Sequence, residues 1–284
     1  MKLCLVCGAK FASPLYQCPS CRSEPETIGG YPAFSPEMSE TSAGFEAGFF
    51  EQLYALEANN FWFRSRNRLI IWALRRYFPG ARNFFEIGCG TGFVLSGIEK
   101  EFPRIELYGS EIYTAGLAFA ARRVKNASLF QMDALKIPFE DEFDCIGAFD
   151  VLEHIKEDEA VLSAVYRAVS HGGGVILTVP QHMSLWSHVD DRSCHARRYS
   201  SAELRSKVEA AGFRVERMTS FVSFLLPLMM LSRMRKSEDM TRELRVGGIT
   251  NALLEKILGL ERGLIKLGVN LPAGGSLLLI AKKI

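Results

Sequence analysis

The stretch Glu86-Ile87-Gly88-Cys89-Gly90-Thr91-Gly92-Phe93 constrains this chain more than any other. Residues 82–87 read as a short apolar strand, and residues 94–102 read as a helix with Val94, Leu95 and Ile98 on one face. Three glycines therefore stand where a strand turns into a helix. Such a junction calls for glycine because the backbone turns tightly and must approach a ligand with no Cβ between them. The plainer alternative is a loop that is merely rich in glycine. Spacing narrows the choice of ligand: a dinucleotide fingerprint G-x-G-x-x-G needs its third glycine at position 93, where this chain has Phe93.

An acid, a hydrophobic residue and G-x-G-x-G resemble the first motif of the class I S-adenosylmethionine-dependent methyltransferases. The likeness runs through later motifs over roughly residues 61–221 and includes a terminal strand. It implies an α/β, Rossmann-like fold, with a mostly parallel seven-stranded sheet and helices on both faces. It also implies that Glu86, Gly88, Cys89, Gly90 and Gly92 hold S-adenosylmethionine. The residues agree with an alternating layout. Strands are expected at 105–110, 128–132, 143–151, 175–179 and 213–219, and helices at 113–124, 156–170 and 201–211.

Three further positions fall at strand ends. Glu111 closes the second strand about 20 residues beyond the glycine loop, where a carboxylate can accept two ribose hydroxyls; Ile112 follows it. Asp133-Ala134 follow the third strand, and the resemblance implies that they take the adenine; a turn or helix cap is the alternative for Asp133. The string Phe149-Asp150-Val151-Leu152-Glu153-His154-Ile155 matches the family's fourth motif, placing Asp150 and Val151 beside the glycine loop. His154 is either a proton acceptor or a hydrogen-bonded structural residue.

The N-terminus carries a separate signal. Cys4-x2-Cys7 and Cys18-x2-Cys21 can wrap four thiolates around one structural Zn²⁺, and the segment resembles a zinc ribbon over residues 1–30. So small a piece has too little apolar surface to fold without the metal. The other three of the seven cysteines, Cys89, Cys145 and Cys194, lack metal spacing. The chain opens into this cluster with no signal-peptide-like apolar run, so a cytoplasmic location is expected. Residues 23–44 are rich in Ser, Pro, Glu and Gly and read as a linker, followed by an N-terminal helix at 45–58; ribbon, linker and helix occupy 1–60 and the methyltransferase core 61–220. The aromatic and basic run Phe61-Trp62-Phe63-Arg64-Ser65-Arg66 opens the next helix, where similar enzymes cover the cofactor.

Residues 180–199 leave the carboxyl edge of the sheet carrying His182, His188 and His195 among Asp, Arg, Trp and Tyr. This concentration reads as an acceptor-binding loop, or as a lid in which Asp190 or Asp191 pairs with Arg197 or Arg198. The catalytic candidates are His154, then His195 and His182. Residues 221–275 form a helical, apolar insertion before a last strand at 276–284. The run at 221–231 is too short to span a bilayer. From Phe221 onward ten basic residues face five acidic ones, so 221–236 is a candidate for peripheral membrane contact; a helical cover or a dimer contact is the alternative.

Three functions compete on this reading. The first is methyl transfer to an O or N atom of a small, lipid- or sugar-linked acceptor. The second is RNA methylation with the ribbon gripping RNA. A net charge of +2, with only Lys2, Lys10 and Arg22 in residues 1–30, argues against nucleic acid as a partner. The third is a non-catalytic scaffold that binds the cofactor, which an intact motif set disfavours.

Overall fold

Consecutive apolar residues along the central strands point to opposite faces, and this sets the architecture. The computed structural model describes residues 1–40, 47–233 and 246–284. The N-terminal part contains β1 (Lys2–Leu3), β2 (Lys10–Phe11), β3 (Glu26–Ile28) and β4 (Tyr31–Ala33), then α1 (Ala47–Glu57) and α2 (Phe61–Tyr77). The core alternates β5 (Asn83–Ile87), α3 (Phe93–Glu101), β6 (Glu106–Glu111), α4 (Thr114–Arg123), β7 (Ala127–Gln131) and β8 (Phe143–Phe149). It continues through α5 (Asp158–Ala168), β9 (Val169–Pro180), α6 (His188–Arg192), α7 (Ser201–Ala210) and β10 (Arg214–Phe221). The chain ends with α8 (Leu226–Arg233), α9 (Gly248–Lys266) and β11 (Ser276–Lys282).

The main sheet has the order β10-β11-β9-β8-β5-β6-β7-β4-β3. From β9 through β7 the neighbours are parallel, and β11 lies antiparallel between β9 and β10. Phe84 faces one apolar layer with Ile70, Leu74, Leu95, Ile98 and Leu117, so α2, α3 and α4 cover that side. Phe85 faces the other with Val161, Val165, Leu204 and Val208, from α5 and α7. Each such fully buried side chain contributes about 1.5–3 kcal/mol. Rossmann-like layers with helices on both faces are thus the observed fold.

The sheet holds nine strands where seven were expected, because residues 26–33 of the expected linker form a hairpin on its edge. Ala33 pairs in parallel with Gln131, and the Gln131 amide bonds both ways with the backbone of Ser35. Three-residue strands interrupted by Pro32 carry no periodicity to read. Residues 169–174, outside the strand expected at 175–179, belong to β9, where Ser170 is half-buried and His171 and Gly172 are exposed. Residues 180–199 are not wholly irregular: Ser187 and Asp190 form a capping box that starts α6. Two helices of the C-terminal insertion are described, α9 packing on α2; Arg235 and Lys236 lie outside the described residues. Among the described residues no helix is long and apolar enough to cross a membrane.

The cysteine module docks on the core. Lys2 pairs with Phe139, the Leu3 N–H donates to the Pro138 carbonyl at 3.0 Å, and Tyr16 sits edge-on to Phe34 and Phe139.

Candidate active site

The glycine loop leaves β5 and turns into α3. Gly88 and Gly90 have φ of +66° and +51°, a region that L side chains avoid. A Cβ on Gly88 would stand 2.6 Å from Val151, whereas around the Cβ position of Gly90 there is no atom within 4 Å. The loop is therefore packed on one side and offers bare backbone on the other. Gly92 starts α3 against Ala120 of α4. Cys89 is buried, its N–H donating to the Ser110 carbonyl at 2.8 Å.

Carboxylates surround this loop. Glu111 accepts from the Gly90 N–H through one oxygen and from the Ile112 N–H through the other, both at 2.9 Å. A carboxylate oxygen has a second lone pair, so these bonds leave room for hydroxyl donors. Burial pushes Glu111 upward and the loop N–H groups oppose it. Ile112 is half-buried, and its carbonyl accepts from Gln131. Glu86 is 3% exposed, with one oxygen unpartnered. Burial raises its pKa well above normal against the opposing charge of Arg66. Asp133 is buried; its Oδ1 accepts from the Leu135 N–H at 2.9 Å, which is the turn-capping alternative, and its own N–H faces Ser35 Oγ. Ala134 is buried beside it. Asp150 adopts φ +58° at the end of β8 and is ion-paired with Arg66 of α2, whose guanidinium lies 4.5 Å from the Trp62 ring centroid.

Helix α1 closes over the loop through residues that periodicity does not single out. Thr91 donates to Glu57, which is ion-paired with Arg123 of α4, and Arg123 also donates to Thr91 at 2.6 Å. Glu57 and Arg123 lie 66 positions apart, so no local pattern links them.

The sequence candidates for proton transfer separate in space. The rings of His154 and His195 meet edge-on with centroids 4.7 Å apart. His195 Nδ1 lies 2.9 Å from Asp190 Oδ1, and Asp190 is held by Arg198 at 2.7 and 3.1 Å. Burial acts against the Asp190 charge, but hydrogen bonds from His195 and Arg198 overcome it and hold the carboxyl below its usual range. His154 is exposed at the surface, yet desolvation by the packing around it, then the charge of His195, draw it down to about 4. His182 stands outside this pair, at φ +62°, with its N–H on the Tyr199 carbonyl.

A family model described as "Methyltransferase domain" matches residues 54–217. The chain belongs to that methyltransferase family. A Mycolicibacterium smegmatis protein named "Probable S-adenosylmethionine-dependent methyltransferase" is 27% identical over 164 residues, which are 57% of this chain and 62% of that protein. Phosphoethanolamine N-methyltransferase 2 of Caenorhabditis elegans is 26% identical over 152 residues, 51% of this chain and 34% of the relative. The chain thus spans less than two thirds of these relatives' own length. In fold it is similar to Haemonchus contortus phosphoethanolamine N-methyltransferase 2 in complex with S-adenosyl-L-methionine. The TM-score there is 0.57 at 18% identity, covering 85% of this chain and 58% of that one. It is also similar to an S-adenosylmethionine-dependent methyltransferase from Archaeoglobus fulgidus, with a TM-score of 0.50 at 23% identity, covering 76% and 94%. The family model carries the membership, and the solved structures, at 18% and 23% identity, show that the fold is shared.

In this methyltransferase the N-terminal cysteines also converge. Cys4 and Cys21 sulfurs are 3.6 Å apart and those of Cys7 and Cys18 3.7 Å. Four thiolates at about 2.3 Å from one Zn²⁺ would stand at just such separations, so the set fits a closed tetrahedral ion.

Proposed function

We propose that this methyltransferase moves a methyl group from S-adenosylmethionine to an oxygen or nitrogen of a small acceptor that is lipid- or sugar-linked. The observation that carries the reading is the meeting of His154, His195 and Asp190 just beyond Asp150, at the strand end that flanks the glycine loop. S-adenosylmethionine, when bound, supplies an already activated methyl group, so the protein's task is to orient an acceptor and exclude water. The backbone of Gly88, Gly90 and Gly92, with Glu86 and Cys89 beneath it, forms the cofactor's bed. Glu111 and Ile112 would take the ribose and Asp133 and Ala134 the adenine. Asp150, Val151 and Arg66 line the donor's amino-acid end. The imidazoles of His154 and His195 stand at the acceptor's reacting atom, with His182 at the rim.

Support for a lipid-linked acceptor comes from α8, which packs beside residues 183–185 and exposes Leu228, Met230 and Leu231. The same apolar face supports peripheral membrane contact through the described part of 221–236. The four N-terminal thiolates would hold a structural Zn²⁺. Incubation of the full chain with labelled methyl donor and fractionated cell extract tests the reading. Label is expected in the small-molecule or lipid-soluble fraction; label confined to RNA or protein overturns it.

A further inference from the structure

Among the described residues, the least explained group is Glu153. Its side chain is 0% exposed, and neither carboxylate oxygen has a hydrogen-bond partner. Buried polar atoms left in that state call for a partner such as an ion. Ligating atoms of Glu153, His154 and His195 all lie within 4.8 Å of one another. We propose that these three side chains form a second metal site, distinct from the cysteine cluster, for a divalent transition cation.

The surroundings favour this. Asp190 Oδ1 faces His195 Nδ1, so the carboxylate takes that ring's N–H and leaves the Nε2 lone pair free, the arrangement by which a neighbouring carboxylate orients a metal-bound imidazole. Backbone carbonyls of Ser193 and Asp150 act on the His154 ring; in the site one ring nitrogen would donate to such a carbonyl and the other would ligate. Two imidazoles and one carboxylate suit Mn²⁺, Fe²⁺, Co²⁺ or Zn²⁺ rather than Mg²⁺ or Ca²⁺, which prefer oxygen throughout. Three protein ligands leave coordination positions unfilled, and of the three His154 is exposed, as in sites that take a substrate.

The role of the cation rests on the acceptor reading above. An acceptor hydroxyl on the ion would lose its proton to water more readily. Its oxygen would then bond to the methyl carbon as the carbon–sulfur bond breaks and the sulfonium becomes a neutral thioether. The histidines would then serve as ligands, and the proton would leave through solvent.

Titration of the full chain, its cysteine cluster filled with Zn²⁺, with Mn²⁺ followed by electron paramagnetic resonance tests the site. One Mn²⁺ per chain is expected to bind. Glu153→Gln, nearly isosteric and uncharged, and His195→Asn should each weaken uptake by at least about tenfold while circular dichroism stays unchanged. If either variant fails to fold, His154→Gln supplies the same comparison. No uptake by the native chain, or equal uptake by the variants, overturns the site. Methyl transfer that ignores Mn²⁺ occupancy overturns the catalytic role alone, and Mn²⁺ uptake does not depend on which acceptor is methylated.

Discussion

At the scale of single residues, the bed proposed for the methyl donor depends on one unobstructed position. Gly90 combines φ +51° with open surroundings, so Gly90→Val adds strain of roughly 1–2 kcal/mol and fills the space the adenosyl group would use. Affinity for S-adenosylhomocysteine, measured by calorimetric titration, should fall at least about 100-fold, a loss of some 2.7 kcal/mol, with a smaller change in thermal stability; unchanged affinity would move the site elsewhere. In the proposed reaction His154, past Asp150, faces the acceptor, so His154→Ala should cut turnover far more than it weakens cofactor binding. Equal turnover would remove His154 from the reaction. These residues were legible because their chemistry is local: glycine spacing and the string Phe149 to Ile155 can be read in one dimension. Glu153 sits in the same string, yet its lack of partners follows from packing around it, which no spacing encodes.

At the scale of elements, helices α1 and α5 are fixed by charges brought from afar. Glu57 on α1 is buried with Arg123, and Glu57→Ala would leave that guanidinium without its ion-pair partner at a cost of about 3–5 kcal/mol. Urea unfolding should report that loss, and cofactor affinity should drop with it because Thr91 of the glycine loop loses its acceptor. Asp158, at the start of α5, accepts from Tyr199 and Lys207 and is ion-paired with Arg197. Burial resists its charge, and these donors overcome that and lower its pKa. A lowered carboxyl pKa means that the unfolded chain takes up the proton first as pH falls. The stabilisation is therefore whole above the ordinary value of about 3.9 and disappears below it. Asp158→Asn should thus cost about 1–3 kcal/mol near pH 7, and the gap to the native protein should close below about pH 3.9. The elements themselves were foreseen wherever apolar period and glycine or proline stops agreed, as in α2, β8 and β11. The hairpin at residues 26–33 was not, since its pairing depends on Gln131, about a hundred positions away.

At the scale of the whole molecule, the cysteine module and the cofactor bed are joined by one short run of chain. Within the module only Cys4, Phe11 and Cys18 are buried together, too small a core to stand without cross-links. From Cys21 the chain runs into the β3–β4 hairpin, then to Ser35, which bonds Gln131 and faces the Asp133 N–H, and to Ser39, whose carbonyl accepts from Thr114 at the start of α4. Both contacts border the places proposed for adenine and ribose. Loss of the proposed Zn²⁺ would free the module, and the strap behind it would lose its anchor on one side. Treatment with a strong zinc chelator should therefore lower the thermal midpoint by several degrees, since about 1 kcal/mol shifts a chain of this size by roughly 2–4 °C. It should also weaken S-adenosylhomocysteine binding several-fold, with both changes reversed by adding back Zn²⁺. Cys18→Ser should reproduce the effect without chelator. If chelation released one Zn²⁺ per chain yet left cofactor affinity untouched, the strap would be ornament to the sheet edge and the cysteine module would act only on whatever docks against it.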